Sequence, residues 1–198
     1  MKEITWLILF VIGYFIYMTY VRKKIYLEKV VAKNGNEYLV RNLRDKQEAS
    51  DRLGDLSDTL QSLCESCQGY QNSDFDKGYD REKAIERLND KFDPKNVTEN
   101  IPGSMHVAYS VNKGDELSIC LREKGTNRFI DKNTVRFVAI HEISHIMSQS
   151  SGHTDEFWDN MKFLLEKAVE RSIYTPINYE DTPVKYCGVK ITNSPLDL

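Results

Sequence analysis

The apolar positions change their rhythm several times along the chain. From Ile4 to Tyr20 they are nearly continuous: ITWLILFVIGYFIYMTY is seventeen residues long and carries no charge. That length lies at the short end of what spans a bilayer as a helix. Trp6 stands near one end, and Tyr14, Tyr17 and Tyr20 stand toward the other, where amphipathic rings favour the membrane interface. Arg22, Lys23 and Lys24 follow at once. A cleaved signal would want a small-residue cleavage site, and the residues after Tyr17 are bulky or basic. A buried core helix is the other alternative. The expectation is one transmembrane helix, residues 4–20, within an anchor and basic juxtamembrane segment, 1–33. The cationic flank lies on the C-terminal side, so the remaining domain, 34–198, is expected to face the cytoplasm.

After the turn signal Asn34-Gly35-Asn36 the period becomes helical. Ala49, Leu53, Leu56, Leu60, Leu63 and Cys67 alternate spacings of four and three, one stripe along a helix over 45–67. A helix laid on a core fits this better than a coiled coil, because barely three heptads are present. Residues 68–77 read as a polar loop. Ala84, Ile85, Leu88 and Phe92 predict a second helix, ended by Asp93-Pro94, and 94–105 reads as a connector. The period then drops to two. Val107, Tyr109 and Val111, then Leu117, Ile119 and Leu121, flank a turn at Gly114-Asp115 and predict a hairpin. Helical spacing returns over 133–148 and again from Phe157 to Ala168. Val184 to Ile191 is a candidate short strand among prolines.

Composition adds exclusions. Hydrophobic residues make up 40% of the 198 and charged residues 29%, with a net charge of -3. A globular core is therefore expected, and direct nucleic-acid binding is not, since no basic face is present. The four cysteines, Cys64, Cys67, Cys120 and Cys187, are too sparse for a disulfide scaffold or a zinc ribbon, and are read as free structural thiols.

The chemistry concentrates in one place. Residues 141–145 read His-Glu-Ile-Ser-His. On a helix, positions four apart share a face, so His141 and His145 aim at one metal. Glu142 falls beside that face, placed to act as general base on a water without ligating the metal. A catalytic zinc wants three protein ligands and an open position. His153 is the candidate third: it follows the turn Ser150-Ser151-Gly152 and opens the last helix. Three of the chain's four histidines thus lie within 141–153. Phe157, Trp158 and Phe163 are expected in the core. Tyr174, Tyr179 and Tyr186 are equal candidates for a polar group assisting the site. Leu117 to Leu121 is the expected edge strand for pairing with an extended substrate, and the polar turn after the anchor suggests self-cleavage within 33–45.

His141-Glu142-Ile143-Ser144-His145, Gly152-His153 and Glu156-Phe157-Trp158 together resemble the WLM and SprT-like zinc metallopeptidases, over roughly Val107 to Val169. The chain is also similar to small anchored WLM-like proteins of large DNA viruses. Seven residues separate His145 from His153, more than is usual in WLM proteins. The resemblance implies an α+β, zincin-like fold: N-terminal helices, a small antiparallel sheet or hairpin and an HExxH active-site helix, preceded by the transmembrane helix. It implies a Zn2+ cofactor, peptide-bond hydrolysis in protein substrates at a membrane surface, and no DNA-repair role without a DNA-binding tail. The alternative is an inactive, zinc-stabilised interaction protein held at the membrane.

Overall fold

The computed structural model describes residues 2–70, 80–104 and 106–196. Most of the loop expected at 68–77 falls outside the described residues. Helix α1 (Lys2–Tyr26) is unbroken and runs straight into strand β1 (Leu27–Val31), which forms a hairpin with β2 (Glu37–Arg41). Helices α2 (Lys46–Ser66) and α3 (Arg81–Lys91) follow, then a 3-10 turn and strand β3 (Val97–Glu99). The hairpin β4 (Ala108–Val111) and β5 (Glu116–Ile119) leads to α4 (Lys132–Met147) and α5 (Asp155–Glu170), and a small hairpin, β6 (Val184–Tyr186) and β7 (Val189–Ile191), ends the described chain.

The α+β class agrees with the expectation, but the sheet is larger and mixed. Its five strands run β1-β2-β3-β5-β4, with parallel pairing of β3 to both β2 and β5. This corrects two expectations. The hairpin is one end of a sheet rather than a sheet by itself. Moreover β5, which contains Leu117, is an interior strand, because three residues hidden in the connector, Val97, Thr98 and Glu99, pair along its other side. The edge is β4. Residues 33–45, proposed as a cleavable linker, hold β2, with Tyr38 and Val40 buried.

Periodicity accounts for the packing. The predicted stripe of α2 is buried: Ala49, Leu53, Leu60 and Leu63 are fully covered. Helix α4 is buried nearly all round, from Val135 to Met147, as expected of a helix at the centre of a core. Asp131 caps its start by accepting the Thr134 N–H. Asp80 and Thr154 cap α3 and α5 in the same way, each contributing about 1 kcal/mol. Glu99 sits at the inner end of β3, where its carboxylate accepts Arg122 Nε at 2.8 Å and the Arg41 N–H at 2.7 Å. Arg122 also reaches Asp45 at 2.6 Å and lies over the Phe129 ring. This buried cluster joins β3, the start of α2 and the loop before α4.

The cysteines divide. Cys64 and Cys67 are free and buried, as expected, and burial raises both thiol pKa values. Cys120 and Cys187 form a disulfide that ties the end of β5 to the turn of the β6–β7 hairpin, which corrects the reading of those two as free thiols. They are 67 residues apart, and sequence spacing alone does not identify such a pairing.

One N-terminal helix, over Ile4–Tyr26, is long and apolar enough to cross a membrane, and its span is not buried in the protein.

Candidate metal centre

Helix α4 presents His141 and His145 one turn apart, and the loop after it returns His153 to them. The candidate ligand atoms of the three lie within 4.8 Å of one another, with His141 Nε2 and His153 Nε2 at 3.1 Å. Ring centroids are separated by 4.9 to 5.0 Å around the triangle. Three convergent imidazole nitrogens suit Zn2+, whose Zn–N bonds of about 2.0–2.1 Å need only a small adjustment of this arrangement.

The surroundings favour neutral imidazoles. Burial first, and then the neighbouring histidines, lower His141 to a pKa of about 3. Burial, His153 and Lys113 lower His145 to about 4. At neutral pH each therefore offers a lone pair, as a metal ligand must. Phe157, fully buried at the first turn of α5, stacks on His145 at 4.2 Å and holds the ring plane. Trp158 departs from its expected place in the core. It is 41% exposed and lies 5.5 Å from the His153 ring, so it forms part of the site's rim.

Glu142 is buried beside the triad, 7% exposed. Burial raises its pKa to about 7, and the Ser110 backbone N–H, which it accepts, opposes that rise. Glu142 therefore contacts the edge strand. A carboxyl poised near neutrality is suited to taking and returning a proton.

His153 is exposed and lies on a loop, yet that loop is tied on three sides. Lys113, in the β4–β5 turn, donates to the carbonyls of Ser148 and Gln149, both at 2.7 Å, and of Ser150 at 3.1 Å. From α5, the Glu156 carboxylate accepts the N–H groups of Gln149 at 2.7 Å and Ser150 at 2.9 Å, and Asn160 donates to Ser148 Oγ at 2.9 Å. From α3, Arg87 donates to the Met147 carbonyl, and Arg81 supports Asn160 at 2.9 Å. The last carbonyl of α4, that of Met147, and the three carbonyls that follow it are thereby satisfied. The turn bearing Lys113 approaches the end of α3 so closely that a Cβ on Gly114, at φ +131°, would lie 2.3 Å from the Lys91 carbonyl oxygen.

Lys113, Arg87 and Asn160 were not singled out from the sequence, and Glu156 only as part of the family resemblance. Their partners are main-chain atoms or distant side chains. The three candidate tyrosines separate as well. Tyr174 and Tyr179 meet each other at 3.3 Å and pack on Phe137. Tyr186, held at 3.1 Å from the Cys120 N–H, lies near enough to Glu142 for burial and that charge together to raise its pKa.

A buried HExxH-bearing helix under an edge strand defines a metallopeptidase-type site. The WLM domain model matches residues 84–188. An uncharacterized protein of Acanthamoeba polyphaga mimivirus is 32% identical over 154 residues, 78% of this chain and 76% of that protein. The chain belongs to the WLM family. Two invertebrate iridescent virus proteins match over shorter stretches. The one from virus 3 is 38% identical over 69 residues, 35% of this chain and 43% of that protein. Among solved structures, Wss1 from Saccharomyces cerevisiae has a TM-score of 0.48 at 14% identity, covering 67% of this chain and 89% of that one. The relatives are thus proteins of large DNA viruses, and family membership points to a protease-type enzyme.

Proposed function

We propose that the chain is a zinc-dependent metalloendopeptidase that hydrolyses protein substrates at a membrane surface. His141, His145 and His153 hold the metal and Glu142 is the general base. The observation that carries this reading is the convergence of three imidazoles, two of them held neutral by burial, beside a buried carboxyl poised near neutrality.

Bound zinc supplies Lewis acidity to water and to the scissile carbonyl. The protein's own groups supply the rest. The free side of β4 pairs with an extended substrate through main-chain hydrogen bonds. This role passes from Leu117–Leu121, the segment expected from sequence, to Ala108–Val111. Glu142 takes the proton from the attacking water and delivers it to the leaving amine. The Ser110 N–H holds Glu142 against the strand on which the substrate lies, which aligns base and scissile bond. Trp158 borders the rim beside His153.

The peptidase domain takes in β1 as well as residues 34–198, and residues 4–20 are the membrane-spanning part. The basic flank Arg22–Lys24 supports a cytoplasmic domain. A second reading of the topology rests on Cys120–Cys187, since a disulfide persists in oxidising surroundings. Thiol labelling of intact membranes decides between them.

The test of function is cleavage of an unfolded reporter protein by the full chain in detergent. Cleavage that a chelator stops, and that Glu142→Gln abolishes while zinc stays bound, is the expected result. Zinc binding with no hydrolysis in the wild type would favour the anchored interaction protein. Loss of zinc in Glu142→Gln would make Glu142 a ligand.

A further inference from the structure

The apolar helix is fastened to the domain on which the site is built. α1 continues without a break three residues beyond Tyr20 to Lys23, and passes into β1 at Leu27 with no linker. Arg22 Nη2 donates to the Pro102 carbonyl at 2.8 Å, in the loop that leads into β4. Lys23 Nζ bridges both Glu116 carboxylate oxygens, at 2.8 and 2.6 Å. The Tyr26 carbonyl accepts the Asn42 N–H at 2.9 Å, beyond β2. Glu116 also accepts Thr98 Oγ1 at 3.2 Å.

Register carries this attachment to the cleft. Glu116 pairs with Val111, and the next residue along β4 is Ser110, whose N–H meets Glu142. Alternation along the strands puts Glu116, Ser118 and Thr98 on one face of the sheet and Ser110 and Leu117 on the other. The last turns of α1 therefore clamp the outer face of the strands whose inner face covers Glu142. Ser118 is only 2% exposed on that outer face.

The distances are short. Tyr20 to Lys23 is about 4.5 Å along a helix. One strand spacing and one residue of rise separate Glu116 from Ser110, which places Glu142 on the order of 15 Å from Lys23. A flexible tether would let the cleft roam over the membrane; this attachment fixes its height.

Building on the peptidase reading above, we propose that the substrates are extended juxtamembrane segments of other membrane-inserted proteins, cut at a set distance from the bilayer. A chain leaving the membrane reaches a cleft at that height within about 5 extended residues. A cut site far out on a long, flexible spacer gains only the effective concentration of co-localisation, without alignment on β4.

The test uses the full chain in lipid vesicles together with membrane-anchored reporters. Each reporter carries one cleavable segment, at about 5, 15 or 40 residues from its own transmembrane helix. The wild type is expected to cut the nearest segment at least about tenfold faster than the farthest. Arg22→Ala/Lys23→Ala, and separately a flexible Gly/Ser insertion between Tyr26 and Leu27, are expected to flatten that preference while cleavage continues. Equal cutting at all spacings by the wild type, or an unchanged preference when the clamp is broken and the linker inserted, would overturn the proposal and leave the peptidase standing. No cutting of any membrane-anchored or soluble reporter would overturn both.

Discussion

The two histidines on α4 and the one on the loop after it reach the same point by different means. His141 and His145 are placed by helical geometry alone: four residues make one turn, and a helix buried nearly all round cannot rotate. His153 has no such support from its own segment, since residues 148–154 form no regular structure. Its position is borrowed from α3, α5 and the β4–β5 turn, through Arg87, Glu156, Asn160 and Lys113. Two of the candidate ligands are therefore as stable as the core, and the third is as stable as a set of hydrogen bonds.

That contrast is open to attack by substitution. His145→Ala removes a core-supported candidate ligand and the partner of the Phe157 stack. It is expected to lower zinc affinity by about a thousandfold or more, since structural zinc binding of roughly 10–16 kcal/mol is shared among few ligands. Competition with a chelating dye measures it.

Glu142 probes the core side without touching ligation. Its raised pKa means that the folded, metal-free protein holds this proton more tightly than the unfolded chain does. The associated stability is complete below about pH 4.5 and is lost as pH rises through about 7. Glu142→Gln is always neutral. The metal-free variant is therefore expected to exceed the wild type in stability by on the order of 2 kcal/mol at pH 8, and the difference should vanish near pH 4. Denaturant titrations at both values check the sign, and a variant less stable than wild type at pH 8 would contradict it.

Lys113→Met probes the loop side. It leaves the Ser148, Gln149 and Ser150 carbonyls, in the loop after α4, without their cation, and zinc affinity is expected to fall about 10–100-fold with α4 itself intact, the usual effect of losing a group that orients a ligand. Gly152→Ala is the mildest test. Nothing lies within 4 Å of the added Cβ, but φ is +81°, so the cost is backbone strain of about 1 kcal/mol. A severalfold faster zinc release, with unchanged unfolding of the core, is the expected outcome.

The same division explains what was legible in the sequence. Helices α2 to α5 announce themselves by period, and the His-Glu-x-x-His spacing carries its geometry with it. β3 does not announce itself: three residues, one of them the buried Glu99 charged against Arg122, look like part of a connector. Missing β3 reversed which strand of the hairpin is the edge. β1 was hidden by the basic residues and the anchor around it. The Lys113 and Arg87 ties on the His153 loop join residues 35 to 60 positions apart through main-chain carbonyls, and no side-chain pattern encodes those. Trp158 was misplaced because helical spacing alone does not show that the first turn of α5 faces the three histidines.

The most direct test of the account is the zinc content and affinity of the full chain in detergent, for the wild type and for His153→Ala. One tightly bound zinc per wild-type chain, released or markedly weakened in His153→Ala with the fold retained, is the predicted result. A well-folded wild type without zinc, or zinc held equally well without His153, would contradict it.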